Sequence, residues 1–169
     1  LASQGVKVIN LSLGEPDFNT PTHIIEAAKN AMDAGFTKYP PVAGFPELRE
    51  AISQKFLRDN NLNYKPNQIV VSTGAKHSIM NVILSLIDPG DEVILPSPYW
   101  VSYSEMIKLS SGIPVFVKST VQNNYKSTAA EFEAAITPKT RMFLFSSPCN
   151  PSGSVYSYDE LNRRTAYVN

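Results

Sequence analysis

The sequence predicts an α/β fold: a mostly parallel sheet with helices on both faces. Three observations lead there. From Gln68 onward, short apolar or β-branched runs alternate with segments of helical period. Gly and Pro clusters mark most of the changes from one to the other. The apolar runs also lie far enough apart to be joined by helical crossovers, which parallel neighbours require. At 169 residues the chain is long enough for one ordinary domain and short for two.

In chain order, Val6 to Leu13 reads as extended and is broken by Gly14-Glu15-Pro16-Asp17. Thr20 is placed to cap a helix with Pro21 in its first turn, and Ile24, Ala27, Ala28 and Ala31 form its inner face. Gly35 ends that helix, and Pro40 to Gly44 is a loop. Leu48, Ala51, Ile52 and Phe56 carry a second helix from about Pro46 to Asn60. Next come a strand at Ile69-Val70-Val71, a turn at Thr73-Gly74-Ala75 and a helix from Lys76 to Ile87. Beyond the Asp88-Pro89-Gly90-Asp91 turn lie a strand at Glu92–Leu95, a helix from Trp100 to Leu109 and a strand at Ile113–Val117. A helix at Ala129–Ile136 and a strand at Met142–Phe145 complete the alternation. Ser157-x-x-Glu160 resembles a capping box that opens one more helix. The residues after Leu161 supply no sustained apolar face, so the chain is expected to be part of a longer protein.

Composition narrows the function. Fifteen basic and fifteen acidic residues cancel without a Lys or Arg run, which argues against a nucleic-acid surface. No apolar stretch approaches a membrane span, and the expected compartment is the cytoplasm. The single cysteine, Cys149, excludes an internal disulfide and a cysteine-rich metal site. It reads as a small packing residue. His23 and His77 share no metal-ligand spacing.

Loop chemistry recurs at the carboxyl ends of three strands, the edge at which open α/β sheets bind ligands. Ser72-Thr73-Gly74-Ala75-Lys76 offers helix N-terminal N–H groups and a lysine to an anion, although any helix start has the same donors. It lacks P-loop spacing, and His77 stands where a magnesium-binding hydroxyl would be needed. Pro96-Ser97-Pro98-Tyr99-Trp100 places the only tryptophan just past a strand, where an indole can stack on a flat ring or simply pack. Ser147-Pro148-Cys149-Asn150-Pro151-Ser152-Gly153 sets an amide between two prolines, but its residues also suit a plain turn. Gly14 permits close backbone approach to a ligand. A phosphate cradle, an aromatic platform and an amide together suggest a phosphorylated aromatic cofactor.

These segments, with Asn10–Phe18, Lys38–Gly44 and Asp88–Val93, resemble in order the class I, fold-type-I pyridoxal-phosphate-dependent aminotransferases. Within that class they most resemble the prokaryotic aspartate aminotransferases. The resemblance implies an N-terminal portion of such a protein, with an incomplete large domain. Residues 1–44 would contribute Gly14 and the dimer-facing Tyr39 loop, 45–161 part of the cofactor-binding domain, and 162–169 an atypical tail. Ala75 and Lys76 would cradle the cofactor phosphate, and Trp100 would stack on the ring and line the substrate pocket. Asn150 would bond the ring's phenolic oxygen and contact the substrate carboxylate, with Gly14 binding that carboxylate through its backbone. Tyr39 would reach the phosphate in a neighbouring subunit, which implies a homodimer. Ser97-Pro98 and Asn150-Pro151 are expected to be cis by the same resemblance.

The implied reaction moves an amino group from an amino acid, aspartate by resemblance, to a 2-oxo acid in amino acid metabolism. The family's Schiff-base lysine has no counterpart among these residues, so no residue here is assigned as catalytic. The alternative expectation is a truncated remnant without cofactor binding. Exposed strand edges and apolar faces give an expectation of low solubility for the isolated segment.

Overall fold

A computed structural model of the chain describes residues 2–9 and 14–165. Of the expected extended segment from Val6, residues 6–9 form no regular structure and 10–13 lie outside the described residues. The chain divides into two compact units, Leu1–Ile69 and Val70–Asn169.

The first unit holds two helices. α1 spans Thr22–Asp33, and its N-cap is Pro21 (φ −55°, ψ 138°) rather than the expected Thr20. The fixed φ of proline suits the entry, and the Pro21 carbonyl accepts the first helical N–H groups, from Ile24 and Ile25. The expected inner face is not buried: no α1 residue is enclosed, and Ile24 is 49% exposed. The apolar period shaped the helix, but among the described residues no element packs over that face tightly enough to bury it. α2 runs over Pro46–Asn60, as the periodicity predicts, with Pro at N1 and Asn61 closing it in the left-handed conformation (φ 54°). Phe56 meets Tyr64 edge to face, and Arg49 donates to the Pro66 carbonyl at 3.2 Å.

The second unit is the α/β body. α3 (Gly74–Leu86) leads into β1 (Glu92–Ser97), α4 (Ser102–Leu109) into β2 (Ile113–Lys118), and α5 (Ala129–Ala134) into β3 (Thr140–Phe143), with α6 at Tyr158–Thr165. The strand order is β2-β1-β3, and both pairs are parallel. β1 is central and the most buried. Val93, Ile94 and Leu95 are fully buried, each worth about 1.5–3 kcal/mol of transfer free energy.

Alternation along β1 sorts the core by face. Val93 and Leu95 pack with Ile83 of α3, with Ile87, and with Tyr103, Met106 and Ile107 of α4. Ile94 points the other way and packs with Val117 and with Phe132 of α5, whose ring also meets Phe143 edge to face. Helices therefore cover both faces, as expected.

Two strand expectations need correction. Ile69-Val70-Val71 is not a strand, because β-branched residues make one only where a neighbour pairs with them, and among the described residues none does. Ile69 is buried, while Val70 stays 65% exposed. The strand expected at Met142–Phe145 begins two residues earlier, at Thr140. An irregularity lets Glu92 face Thr140 and Val93 face Met142, and Leu144 adds one N–H bond to Ile94 beyond the strand.

Candidate functional site

The first turn ends at the start of α3. Gly74 adopts φ +81°, a conformation that costs a non-glycine residue, and a Cβ there would meet nothing within 4 Å. Its N–H bonds Ser72 O at 2.9 Å, and the Thr73 N–H donates to His77 Nδ1 at 3.1 Å. That contact assigns Nδ1 as the unprotonated nitrogen and braces the turn from within the helix. Ala75 and Lys76 follow in the first helical turn, both exposed, where helix geometry leaves N–H groups without intrahelical acceptors.

The second turn leaves β1 through a cis Ser97-Pro98 bond. Ser119 holds the Ser97 carbonyl through both its N–H (3.2 Å) and its hydroxyl. Tyr99 stacks on Phe116 (5.5 Å, 10°), and Trp100 meets Tyr103 edge to face at 5.4 Å. Trp100 is half-buried, with the Lys76 ammonium 4.9 Å from its ring centroid. That cation–π contact joins the first turn to the second.

The third turn follows β3. Ser147-Pro148 and Asn150-Pro151 are both cis. The Asn150 N–H donates to Ser146 Oγ at 3.1 Å. Gly153 (φ +73°) returns the chain, with its N–H on Cys149 O at 2.7 Å and the Cys149 N–H on Ser154 O at 2.9 Å. The Cys149 thiol reaches Pro98 O at 3.5 Å, which joins the third turn to the second. Pro96, Pro98, Tyr99, Phe145, Ser146 and Cys149 line part of a small cleft between these turns.

Lys76, Trp100 and the Asn150 turn thus belong to one rim at the carboxyl ends of β1 and β3. Gly14 and Tyr39 lie in the first unit, both exposed, Tyr39 fully so. The rim residues fit a phosphorylated flat ring. Helix-start N–H groups and the Lys76 ammonium are the donors a phosphate would need, the half-buried Trp100 indole is the flat face a ring would need, and Asn150 is exposed in the turn whose Cys149 thiol reaches Pro98 O. Among the described residues no cluster of His, Cys, Asp or Glu is arranged to hold a metal, and no helix is long and apolar enough to cross a membrane.

The family model described as "Aminotransferase class I and II" matches residues 6–167. The chain belongs to the class I and II aminotransferase family. It is 50% identical over 161 residues to an aspartate aminotransferase of Bacillus sp. (strain YM-2), covering 95% of this chain and 41% of that protein. An aspartate/prephenate aminotransferase of Nitrosomonas europaea is also 50% identical, with the same coverage. Among solved structures, the aspartate aminotransferase from Rhizobium meliloti superposes with a TM-score of 0.93 at 44% identity, covering 99% of this chain and 42% of that one. An aromatic aminotransferase from Pyrococcus horikoshii OT3 gives 0.90 at 36% identity, covering 98% and 45%. The chain therefore spans about two fifths of the length of these aminotransferases.

Both cis bonds expected from the aminotransferase resemblance are present, and Ser147-Pro148 is a third that the sequence reading did not single out. The brace from His77 and the hydroxyl ties of Ser119 and Ser146 were also unread. Such bonds join residues through turn geometry, and periodicity carries no record of them.

Proposed function

We propose that this chain is the cofactor-gripping portion of a pyridoxal-phosphate-dependent aminotransferase. The whole protein transfers an amino group from an amino acid, aspartate first among candidates, to a 2-oxo acid. The observation that carries this reading is the rim itself, with Lys76 4.9 Å from the Trp100 ring at the helix start of a chain 50% identical to aspartate aminotransferases. When bound, the cofactor supplies an electron sink that acidifies the Cα proton of the amino acid.

The chain's own residues bind and orient. Ala75 and Lys76 hold the phosphate through backbone N–H groups, aided by the positive end of the α3 dipole. Trp100 stacks on the ring and walls the substrate pocket. Asn150 bonds the phenolic oxygen and contacts the substrate carboxylate, which Gly14 also binds through its backbone. Tyr39, fully exposed, reaches the phosphate of a second subunit in a homodimer. The setting is cytoplasmic amino acid biosynthesis, without nucleic-acid or membrane partners.

The test assays the protein that contains this chain for transfer from aspartate, from an aromatic amino acid, and to prephenate. Turnover with aspartate supports the reading, and absence of turnover with all three contradicts it. A second reading concerns the chain by itself, which spans about two fifths of its relatives and, by the family resemblance, has no counterpart of the Schiff-base lysine. Assayed alone, it is expected to show no turnover.

A further inference from the structure

The turn that carries Asn150 is tied down from outside the rim. Tyr156, 7% exposed, donates its N–H to Ser147 Oγ at 3.1 Å, and its hydroxyl accepts the Ser127 N–H at 3.0 Å. Its ring meets Phe145 edge to face at 5.7 Å. Ser154 donates its hydroxyl to the Asn124 carbonyl, a second tie between the same two segments. Lys126, next to Ser127, lies 5.8 Å from the Tyr156 ring centroid. Its ammonium spans 34 residues to both carboxylate oxygens of Glu160, at 2.6 and 2.9 Å. Glu160 also accepts the Ser157 N–H at 2.7 Å, so the same carboxylate opens α6.

We propose that Lys126 and Glu160 are positioning residues that pin Tyr156, and through it the Asn150 turn, to the segment before α5. The inference rests on the ring-binding role given to Asn150. The chemistry is directional. An ammonium fixed by two carboxylate oxygens holds the helix start that follows Tyr156, while the neighbouring Ser127 N–H holds the tyrosine's hydroxyl. The latch's ties run to the Asn150 turn and to the segment before α5, whereas the phosphate cradle at Ala75 and Lys76 sits on the turn at the start of α3. Loss of the latch therefore acts on ring binding and leaves phosphate binding alone.

The experiment compares the unsubstituted 169-residue chain with Lys126→Gln, Glu160→Gln and Lys126→Arg. Gln at 160 still accepts the Ser157 N–H, so α6 keeps its cap. Two quantities are read: hydrogen exchange at the Cys149, Gly153 and Tyr156 amides, and affinity for pyridoxal 5′-phosphate against inorganic phosphate. Both Gln variants are expected to exchange faster at those amides and to bind the ring about threefold more weakly, with phosphate affinity unchanged. Lys126→Arg keeps the ion pair and retains both properties. Unchanged exchange in the turn, or an equal loss of ring and phosphate binding, overturns the proposal. If the unsubstituted chain binds no ring, the role given to Asn150 fails, and the exchange measurements alone then decide for or against the latch.

Discussion

Trp100 is half-buried, with Tyr103 against it edge to face and the Lys76 ammonium 4.9 Å from its centroid. An aromatic face backed by a buried tyrosine is a rigid platform, and stacking on it contributes on the order of 1 kcal/mol beyond area burial. Trp100→Ala is expected to weaken pyridoxal 5′-phosphate binding by about tenfold, measured by equilibrium dialysis, while Trp100→Phe loses less. Gly112 makes a different demand. A Cβ there would lie 2.7 Å from Ile87 Cγ2 and 3.2 Å from Ile107 Cγ2, both in the packed core. Gly112→Ala is expected to lower stability by about 1–3 kcal/mol, read as a lower urea midpoint with an unchanged slope.

At the scale of elements, α6 illustrates how charge fixes a helix start. The Lys126 hydrogen bond, followed by the Ser157 N–H, lowers the Glu160 carboxyl from 4.5 to about 2. Its folded-state value is thus below its unfolded one. The resulting stability is fully present above about pH 4.5 and is lost as pH falls through about 2. Exchange protection at the start of α6 is expected to hold down to about pH 5 and to decline below it, and Glu160→Gln to flatten that decline relative to the parent chain.

What the sequence made legible follows the same scale. The helices α2, α3 and α4, the strands β1 and β2 and the α6 capping box were readable because each has a local cause: a period, a proline or a paired hydroxyl and carboxylate. The strand misread at Ile69-Val70-Val71 and the early start of β3 depend on which neighbour pairs, a non-local matter. At the rim, Lys76, Trp100 and Asn150 were named from strand-end chemistry and family likeness. The Tyr156 tie to Ser127 was not, because 29 residues separate its partners.

Over the whole molecule, burial is uneven. No residue of α1 or α2 is buried, whereas the second unit encloses Ile83, Val93, Ile94, Leu95 and Ile107 completely. Regions with few buried apolar contacts open at lower free energy. Amides of α1 and α2 are therefore expected to exchange faster than those of β1 in the same sample. Large apolar side chains such as Phe18 (87% exposed), Leu109 (76%) and Tyr39 (102%) lie open, so concentration-dependent light scattering is expected from the isolated chain.

The central claim is that residues 72–76, 96–100 and 150–153 together grip a flat, phosphorylated ring. Trp100 is the only tryptophan, so its fluorescence reports this rim and nothing else. Titration of the chain with pyridoxal 5′-phosphate should quench that emission saturably, more strongly than pyridoxal lacking the phosphate, and inorganic phosphate should reverse it. Quenching that never saturates, or that is the same with and without the phosphate, would contradict the account.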